Sequence, residues 1–193
     1  MKTKTALIYI ALLFMGLNIN HLRAQIKQSS VLVYNIDYAS KPVVHTAVLT
    51  SVKPIIINWS TQNEYNDKGV YVVSEKAQKE ALNHTFELPF PQSGDVNCYD
   101  FLPGYMVSKN IYTLIKAGSE ADIREGCNML TDKLKPTGNI KTSIKIAGKA
   151  KDVPVITCTY NTFGDELWIL DNPDFPVVVK VKGMKKWDLT EIK

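Results

Sequence analysis

Apolar and polar residues alternate with a period of two along much of this chain, most clearly in its last third. Ile144 and Ile146 alternate there with Ser143 and Lys145, as in a strand with one buried face and one solvated face. Four similar runs follow, separated by short turns. Strands joined by so few residues pair antiparallel, because a parallel crossover needs a dozen residues or more. The sequence therefore predicts a meander of five strands. They are residues 140–146, 153–160, Glu166–Leu170, 177–181 and 187–189.

The first part of the chain adds further alternating runs and two short helical segments. Ser74 is placed to cap a helix over residues 75–82, and Ser108 to cap one over Lys109–Lys116 that ends at Gly118. Four strands are predicted between turn residues. They are Val31–Tyr38 and residues 43–49, 55–59 and 69–73.

Two segments lack a clear period. Residues 88–98 are rich in proline and are predicted to form a loop. Residues 119–135 place Ile123 and Cys127 at helical spacing, but Gly126 interrupts the run. A helix and a pair of short strands are both open, and we favour the strands. The whole pattern predicts a mainly β domain, a curved antiparallel sheet or half-barrel of roughly nine to eleven strands with two short helices. An α+β fold is the alternative.

Residues 1–24 have the three-part order of a cleavable secretory signal. Lys2 and Lys4 form the basic start, residues 6–19 are mostly apolar, and Ala24 is the small residue before the expected cut. The apolar run is shorter than the roughly 20 residues of a membrane span. The sequence therefore predicts a signal peptide over residues 1–24 and a single β-rich domain over residues 25–193. That domain is expected in the periplasm or outside the cell, with no membrane span after cleavage.

The charge balance argues against one class of partner. The formal net charge is +4, but Lys2, Lys4 and Arg23 lie in the predicted signal, so the remaining domain is close to neutral. Nucleic-acid binding depends on a basic patch that neutralises phosphates. No nucleic-acid partner is expected.

The chain contains three cysteines, Cys98, Cys127 and Cys158. An odd number in an oxidising compartment leaves either one disulfide with one free thiol or three buried thiols, and the pairing stays open. Their spacing matches no metal-binding pattern. We interpret them as mainly structural.

The candidate catalytic residues of the domain are its two histidines, His45 and His84. Nucleophilic catalysis needs a base within hydrogen-bond reach of an activated Ser or Cys. Neither a GxSxG nor an HExxH motif occurs in the chain. We expect both histidines to be satisfied core or surface residues, and we predict no catalytic residue.

Acidic residues near turns are the candidate metal ligands. Four surround the predicted turn before residue 177: Asp165, Glu166, Asp171 and Asp174. They lack the DxDxDG spacing of a calcium loop and its distal Glu. Asp95, Cys98 and Asp100 on the predicted loop are equally unspecific. We predict no metal site, and the lack of a Gly-rich phosphate loop also argues against a nucleotide cofactor.

Aromatic residues on strands are the remaining feature. Trp59, Trp168 and Trp187 lie on or beside predicted strands. Such residues usually fill a core, which is the interpretation we favour. The alternative is that they line a concave sheet face that holds an acyl chain or a sugar ring.

Five segments carry a resemblance to a family. They are GVYVVSEKAQKEALN from residue 69, YMVSKNIYTLIKAG from residue 105, IKIAGKAKDVPVI from residue 144, ELWILDNPDFPVVVKV from residue 166 and WDLTEI from residue 187. These segments resemble uncharacterised secreted, β-rich envelope proteins of the Bacteroidota, which are distantly similar to the lipoprotein-sorting half-barrels. The resemblance implies a curved antiparallel sheet that wraps short helices over an apolar cavity. It favours strands within residues 119–135 and brings no catalytic motif.

Together these features favour a non-catalytic envelope protein that binds an apolar or amphipathic ligand, such as a lipid, or a protein partner. The alternative is a structural or assembly protein that docks another envelope protein through a sheet edge or an exposed patch. An enzyme is the weakest of the three hypotheses, and no cofactor is expected.

Overall fold

The computed structural model describes residues 26–38, 41–63, 66–85, 94–98, 101–125, 131–160, 164–183 and 186–193. The predicted signal lies outside them. The described chain is mainly β, as the alternation predicts, with two helices, α1 (Glu75–Glu80) and α2 (Lys109–Lys116). Its strands are β1 (Val31–Tyr38), β2 (Lys41–Val52), β3 (Ile55–Gln62), β4 (Lys68–Val73), β5 (Asn83–Thr85), β6 (Gly94–Cys98), β7 (Phe101–Pro103), β8 (Ala121–Glu125), β9 (Thr131–Ile146), β10 (Lys149–Tyr160), β11 (Glu166–Leu170), β12 (Val178–Lys182) and β13 (Lys186–Ile192).

These thirteen strands form one sheet in the order β6-β4-β3-β2-β1-β13-β12-β11-β10-β9-β8-β5-β7. Most neighbours are antiparallel, whereas β6 pairs parallel with β4, and β5 pairs parallel with both β7 and β8. There are more strands than the predicted nine to eleven. The added ones include β5 and β7, which have three residues each. A period of two cannot be recognised over so short a run.

The first and last strands meet in the middle of the sheet. β1 pairs with β13 on one side and with β2 on the other, so Tyr34 lies between Leu189 and His45. Val31 and Lys193 exchange two backbone hydrogen bonds, of 3.0 and 2.9 Å. The β1–β13 ladder therefore joins the N-terminal strands to the C-terminal meander.

The C-terminal strands close a ring. β9, β10, β11, β12 and β13 pair in succession, which confirms the predicted antiparallel meander. β13 then pairs parallel with β9 through two residue pairs, Glu191 with Lys145 and Ile192 with Ile146. The five strands form a ring that is not a regular barrel. This parallel closure was not expected from the sequence.

The two segments without a clear period are both partly strand. Gly94–Cys98 forms β6, so the prediction of a loop over residues 88–98 is wrong there, and residues 88–93 lie outside the described part. β4 offers a sheet edge to which this segment bonds, and local composition does not reveal such an edge. Within residues 119–135, β8 and the start of β9 confirm the strand interpretation, while residues 126–130, with Cys127, are not described.

Both helices begin at the predicted serine caps. The Ser74 hydroxyl accepts a hydrogen bond of 3.0 Å from the Ala77 amide, and the Ser108 hydroxyl accepts one of 3.3 Å from the Ile111 amide. α1 ends at Glu80, two residues before the predicted end, because Ala81 has extended backbone angles. α2 has its predicted bounds and packs against β8, β9 and β10.

The core lies on the face of the N-terminal strands that carries the alternating apolar residues. On β3, Ile55, Ile57 and Trp59 are buried. Trp59 lies opposite Gly69 of β4, and its indole ring covers the glycine. A Cβ atom added at Gly69 would lie 2.7 Å from Trp59 Nε1, closer than atoms of a packed core can approach. The absent side chain is therefore part of how the indole is packed.

Replacement of Gly69 by alanine is expected to destabilise the fold by about 1–3 kcal/mol, because the indole must move within a packed core. Gly138→Ala in β9 is the control, since its added Cβ would lie at an ordinary 3.5 Å from Thr157 Oγ1. That variant is expected to be neutral or more stable by about 0.4–1 kcal/mol. Urea unfolding, followed by far-ultraviolet circular dichroism, measures both. Equal loss of stability in the two variants would contradict the packing of Trp59 on Gly69.

Candidate ligand-binding site

His45 is buried in the core and is bonded through both ring nitrogens. It lies on β2 opposite Thr61 of β3, and a hydrogen bond of 2.8 Å joins His45 Nδ1 to Thr61 Oγ1. His45 Nε2 is bonded to the Tyr105 hydroxyl. Burial lowers the pKa of His45 to about 3. The neutral ring donates through one nitrogen and accepts through the other, and both of these roles are used.

Aromatic rings surround this histidine. The Tyr105 and Trp59 rings stack on it at centroid distances of 5.5 and 5.7 Å. Tyr34 contacts Tyr105, and Trp187 meets Tyr34 edge to face at 5.2 Å. Burial raises the pKa values of Tyr34 and Tyr105 above their ordinary values. The structure thus places Trp59 and Trp187 in the core.

Trp168 has a different environment. Its indole N–H donates a hydrogen bond of 3.2 Å to Glu166 Oε2, and the Lys182 ammonium lies 4.5 Å from the ring centroid. The Lys180 ammonium lies 5.4 Å from the same ring. The bond from Lys182, followed by that from Trp168, holds the pKa of Glu166 below its usual value. Trp168 therefore belongs to a charged, half-buried cluster on β11 and β12.

The other candidate catalytic residues are not brought together in the described part of the chain. His84 is buried and its Nδ1 donates to the Leu82 carbonyl oxygen at 2.9 Å, while burial lowers its pKa to about 4. Cys158 is a buried free thiol whose pKa is raised to about 12 by burial, so it forms little of the reactive thiolate. No described hydrogen bond links either histidine to Cys158. The side chain of Cys98 lies outside the described atoms, as does Cys127.

Two of the acidic residues of the predicted hairpin, Asp171 and Glu166, have structural partners. Asp171 accepts hydrogen bonds from the Tyr112 hydroxyl at 2.7 Å and from Lys116 Nζ at 2.6 Å, so it fixes α2 to the end of β11. Glu166 is paired with Lys182 at 2.9 Å. Across the described ranges, no group of three or more His, Cys, Asp or Glu side chains is arranged to hold a metal ion. Asp95 lies on β6, and Asp100 is outside those ranges.

A cavity of about 430 Å³ lies where the five-strand ring closes, between β9 and β10 on one side and β12 and β13 on the other. We call it the seam cavity. Its floor is made by the buried side chains of Ile144, Val179 and Leu189. The floor therefore combines apolar side chains from three strands of the ring.

The path of β13 explains why a gap forms there. Among the described residues, β13 pairs with β12 only through Trp187 and Asp188, and with β9 only through Glu191 and Ile192. Leu189 lies between these two short ladders and bonds to β1 instead. β13 thus leaves one neighbour before it reaches the next, and side chains rather than backbone bonds border the space between them.

The mouth of the seam cavity is polar. Ser143 and Thr190 line it with hydroxyl-bearing side chains, and Lys145 and Lys180 line it with basic side chains, whereas Thr142 lies on the same face of β9 as the floor residue Ile144. The Thr190 hydroxyl donates to the Val33 carbonyl oxygen at 3.1 Å. Asp188, also at the mouth, forms an ion pair with Lys180. An apolar floor with a polar mouth is the arrangement that an amphipathic small molecule requires.

A wider surface depression of about 510 Å³ lies on the outer face of β2, β3 and β4. Its lining includes the exposed residues Asn58, Ser60 and Lys68 on neighbouring strands. Although its volume is larger, it is bordered by one sheet face only. The seam cavity has walls on two sides, so it is the better candidate for a ligand site.

None of the residues of the seam cavity was singled out from the sequence as a site. Lys145, Leu189 and Thr190 look like ordinary members of alternating strands. Their meeting depends on the parallel β13–β9 pairing, and no local pattern encodes that contact. A gap in the pairing of a closing strand is visible only once the strand order is known.

Comparison with protein-family models, with curated proteins and with solved structures finds no match for this chain. Neither described helix has the length and apolar character needed to cross a bilayer.

The buried state of His45 predicts how stability depends on pH. The unfolded chain takes up a proton at the ordinary pKa of 6.5, whereas the folded chain resists protonation of His45 until about pH 3. Wild-type protein therefore loses stability as the pH falls below 6.5, by up to about 1.4 kcal/mol for each pH unit from this residue. The variant His45→Gln has no histidine at this position, so its stability does not fall with pH for this reason. It is expected to be less stable than wild type at pH 8 by about 1–3 kcal/mol, and the difference should narrow towards pH 5.

Urea unfolding at pH 8, 6.5 and 5 measures this difference. His84→Gln is a parallel variant. The difference in stability between it and wild type should also become smaller towards pH 5, because burial also lowers the pKa of His84. A stability difference between wild type and His45→Gln that stays constant from pH 8 to pH 5 would disprove the neutral, buried state of His45.

Proposed function

We propose that this protein is a non-catalytic binding protein that holds a small amphipathic ligand in the seam cavity. The observation that carries the proposal is the combination of an apolar floor, made by Ile144, Val179 and Leu189, with a mouth of hydroxyl and ammonium groups. The volume of about 430 Å³ falls within the usual range of small-molecule sites, about 300–1,000 Å³.

The chemistry of the candidate catalytic residues supports a non-catalytic role. Both ring nitrogens of His45 are hydrogen-bonded inside the core, to Thr61 and to Tyr105. A general base, in contrast, needs a nitrogen that can reach the substrate and a pKa near neutral pH. The thiol of Cys158 is buried and has a raised pKa. Neither residue lines the seam cavity.

Features of the sequence support a compartment outside the cytoplasm. Residues 1–24 have the order of a secretory signal, and the segments described above resemble secreted envelope proteins of the Bacteroidota. We place the protein in the periplasm or outside the cell. An envelope supplies amphiphiles in quantity, which agrees with the proposed ligand class.

Docking of another envelope protein is a second candidate, favoured by one observation. β6 forms one end of the sheet and, within the described residues, pairs on one side only, with β4. An open strand edge is a template for pairing with another chain. A monodisperse monomer with no envelope partner in chemical cross-linking would count against this role.

Filling the mouth of the seam cavity should weaken ligand binding. Ser143→Trp puts an indole at the mouth, whereas Lys141→Trp puts the same group two residues earlier on β9, at an exposed position outside the cavity. The probe is N-phenyl-1-naphthylamine, a neutral apolar dye whose emission rises when it leaves water. Ser143→Trp is expected to weaken dye binding about tenfold or more, a loss of at least about 1.4 kcal/mol. Lys141→Trp should bind as wild type does.

The same two variants, purified from a bacterial periplasm, are compared with wild type by native mass spectrometry. Thermal unfolding verifies that both fold. A co-purifying amphiphile that wild type and Lys141→Trp retain, and Ser143→Trp loses, supports the proposal. Failure of wild type to bind the dye or any amphiphile would overturn it, as would equal binding by the two tryptophan variants.

A further inference from the structure

The charges at the mouth of the seam cavity are not balanced. Lys180 is neutralised by its ion pair with Asp188. Lys145, at the same mouth, forms no ion pair with any carboxylate of the described chain. Its neighbour across the parallel ladder, Glu191, is engaged by Lys193 at 3.4 Å. One cation therefore remains available at the opening.

The strand ladders hold Lys145 in place. Its backbone pairs with Ala150 of β10 on one side and with Glu191 of β13 on the other, which fixes the base of the side chain at the mouth. Ala150 has a short side chain and leaves space opposite the lysine. The ammonium group can thus turn towards the opening without movement of the backbone.

One hydroxyl group beside Lys145 is available as a donor. Ser143 lies two residues before Lys145 on β9, so the two side chains are on the same face of the strand, and the Ser143 hydroxyl has no hydrogen-bond partner within the described ranges. Thr190 differs, since its hydroxyl already donates to Val33. A lysine with a nearby hydroxyl donor suits the oxygens of a compact anion, because hydrogen bonds to an ionised group are stronger than those between neutral groups.

The surface around the mouth of the seam cavity is also positively charged. The tip of the β9–β10 hairpin also carries Lys149 and Lys151, against the single acid Asp152. These lysines do not line the cavity. They add a positive potential around its opening, which attracts anions over distances of about 10 Å at moderate salt.

We propose, on the basis of the function proposed above, that the seam cavity selects free single-chain amphiphiles whose head group is a compact oxygen anion, a carboxylate or a phosphate. The chain lies on Ile144, Val179 and Leu189, and the head group contacts Lys145 and the Ser143 hydroxyl. Neutral and cationic amphiphiles of the same chain length bind more weakly.

Displacement of N-phenyl-1-naphthylamine by dodecanoate, dodecyl phosphate, dodecanol and dodecyltrimethylammonium, all below their micellar concentrations, tests this selection. The two anions are expected to bind about five- to tenfold more tightly than dodecanol, and the cation more weakly than dodecanol. Added salt should weaken the anions and leave dodecanol unchanged. Equal affinity for dodecanol and both anions would overturn the selection and leave the proposed function intact. Failure of all four to displace the dye would instead overturn the proposed function.

A pair of charge-reversal variants localises the contact. Lys145→Glu is expected to reduce dodecanoate affinity about tenfold and to leave dodecanol within twofold of wild type. Lys149→Glu makes the same charge change on the same hairpin outside the cavity, and its effect on dodecanoate should be less than threefold. Equal losses in the two variants would overturn the direct contact with Lys145.

Vesicles distinguish a free amphiphile from a lipid head group in a membrane. Cosedimentation of wild-type protein with vesicles of phosphatidylglycerol and phosphatidylcholine is expected to be weak and unaffected by dodecanoate. Tight cosedimentation together with no binding of the free anions would overturn the proposal in favour of a membrane surface.

Discussion

The structure depends on the pairing of β1 with β13. In the part of the chain that the structure describes, this ladder is the only link in the sheet order between the strands on one side of it, β2, β3, β4 and β6, and the C-terminal ring. It also brings Tyr34 and Leu189 together over the core. The aromatic residues around His45 come from both sides of the ladder, since Trp187 lies on β13 and Trp59 on β3. The pairing of these two strands therefore brings both groups of strands to one shared core.

The strand that completes the core also creates the cavity. β13 pairs with three strands, β1, β12 and β9, within its seven residues. A strand has two edges, so β12 and β9 share one of them, and neither can be bonded along its whole length. The ladder shifts between Val33 and Tyr34, where β13 carries an extra residue, Thr190, at the cavity mouth. The opening thus follows from backbone geometry, and the side chains around it decide which molecule fits.

The sequence contains much of the fold and little of the site. Alternation places the meander strands and β1, and the serines at 74 and 108 mark the helix starts, because these signals act between residues near in the chain. The sequence does not predict β6, because this strand forms by pairing with the edge of β4. The chain between the two strands also forms α1 and β5, so the pairing is not a local one. The candidate site cannot be predicted from the sequence for the same reason. Lys145 and Leu189 have ordinary strand patterns, and only the long-range order of the strands makes them neighbours.

The position of β13 also has a consequence for the order of assembly. Contacts across the central ladder join residues far apart in the chain, such as Thr190 and Val33, which are 157 positions apart. Contacts between residues so far apart in the chain form slowly, because the entropy cost of closing a large loop comes before the bonds that offset it. A chain that emerges N-terminus first cannot complete its core until β13 is available, and until then β1 and β12 each have one unpaired edge. The complete core therefore forms only after β13 has been made, and until then the unpaired strand edges are the kind of surface that a holding chaperone protects from aggregation.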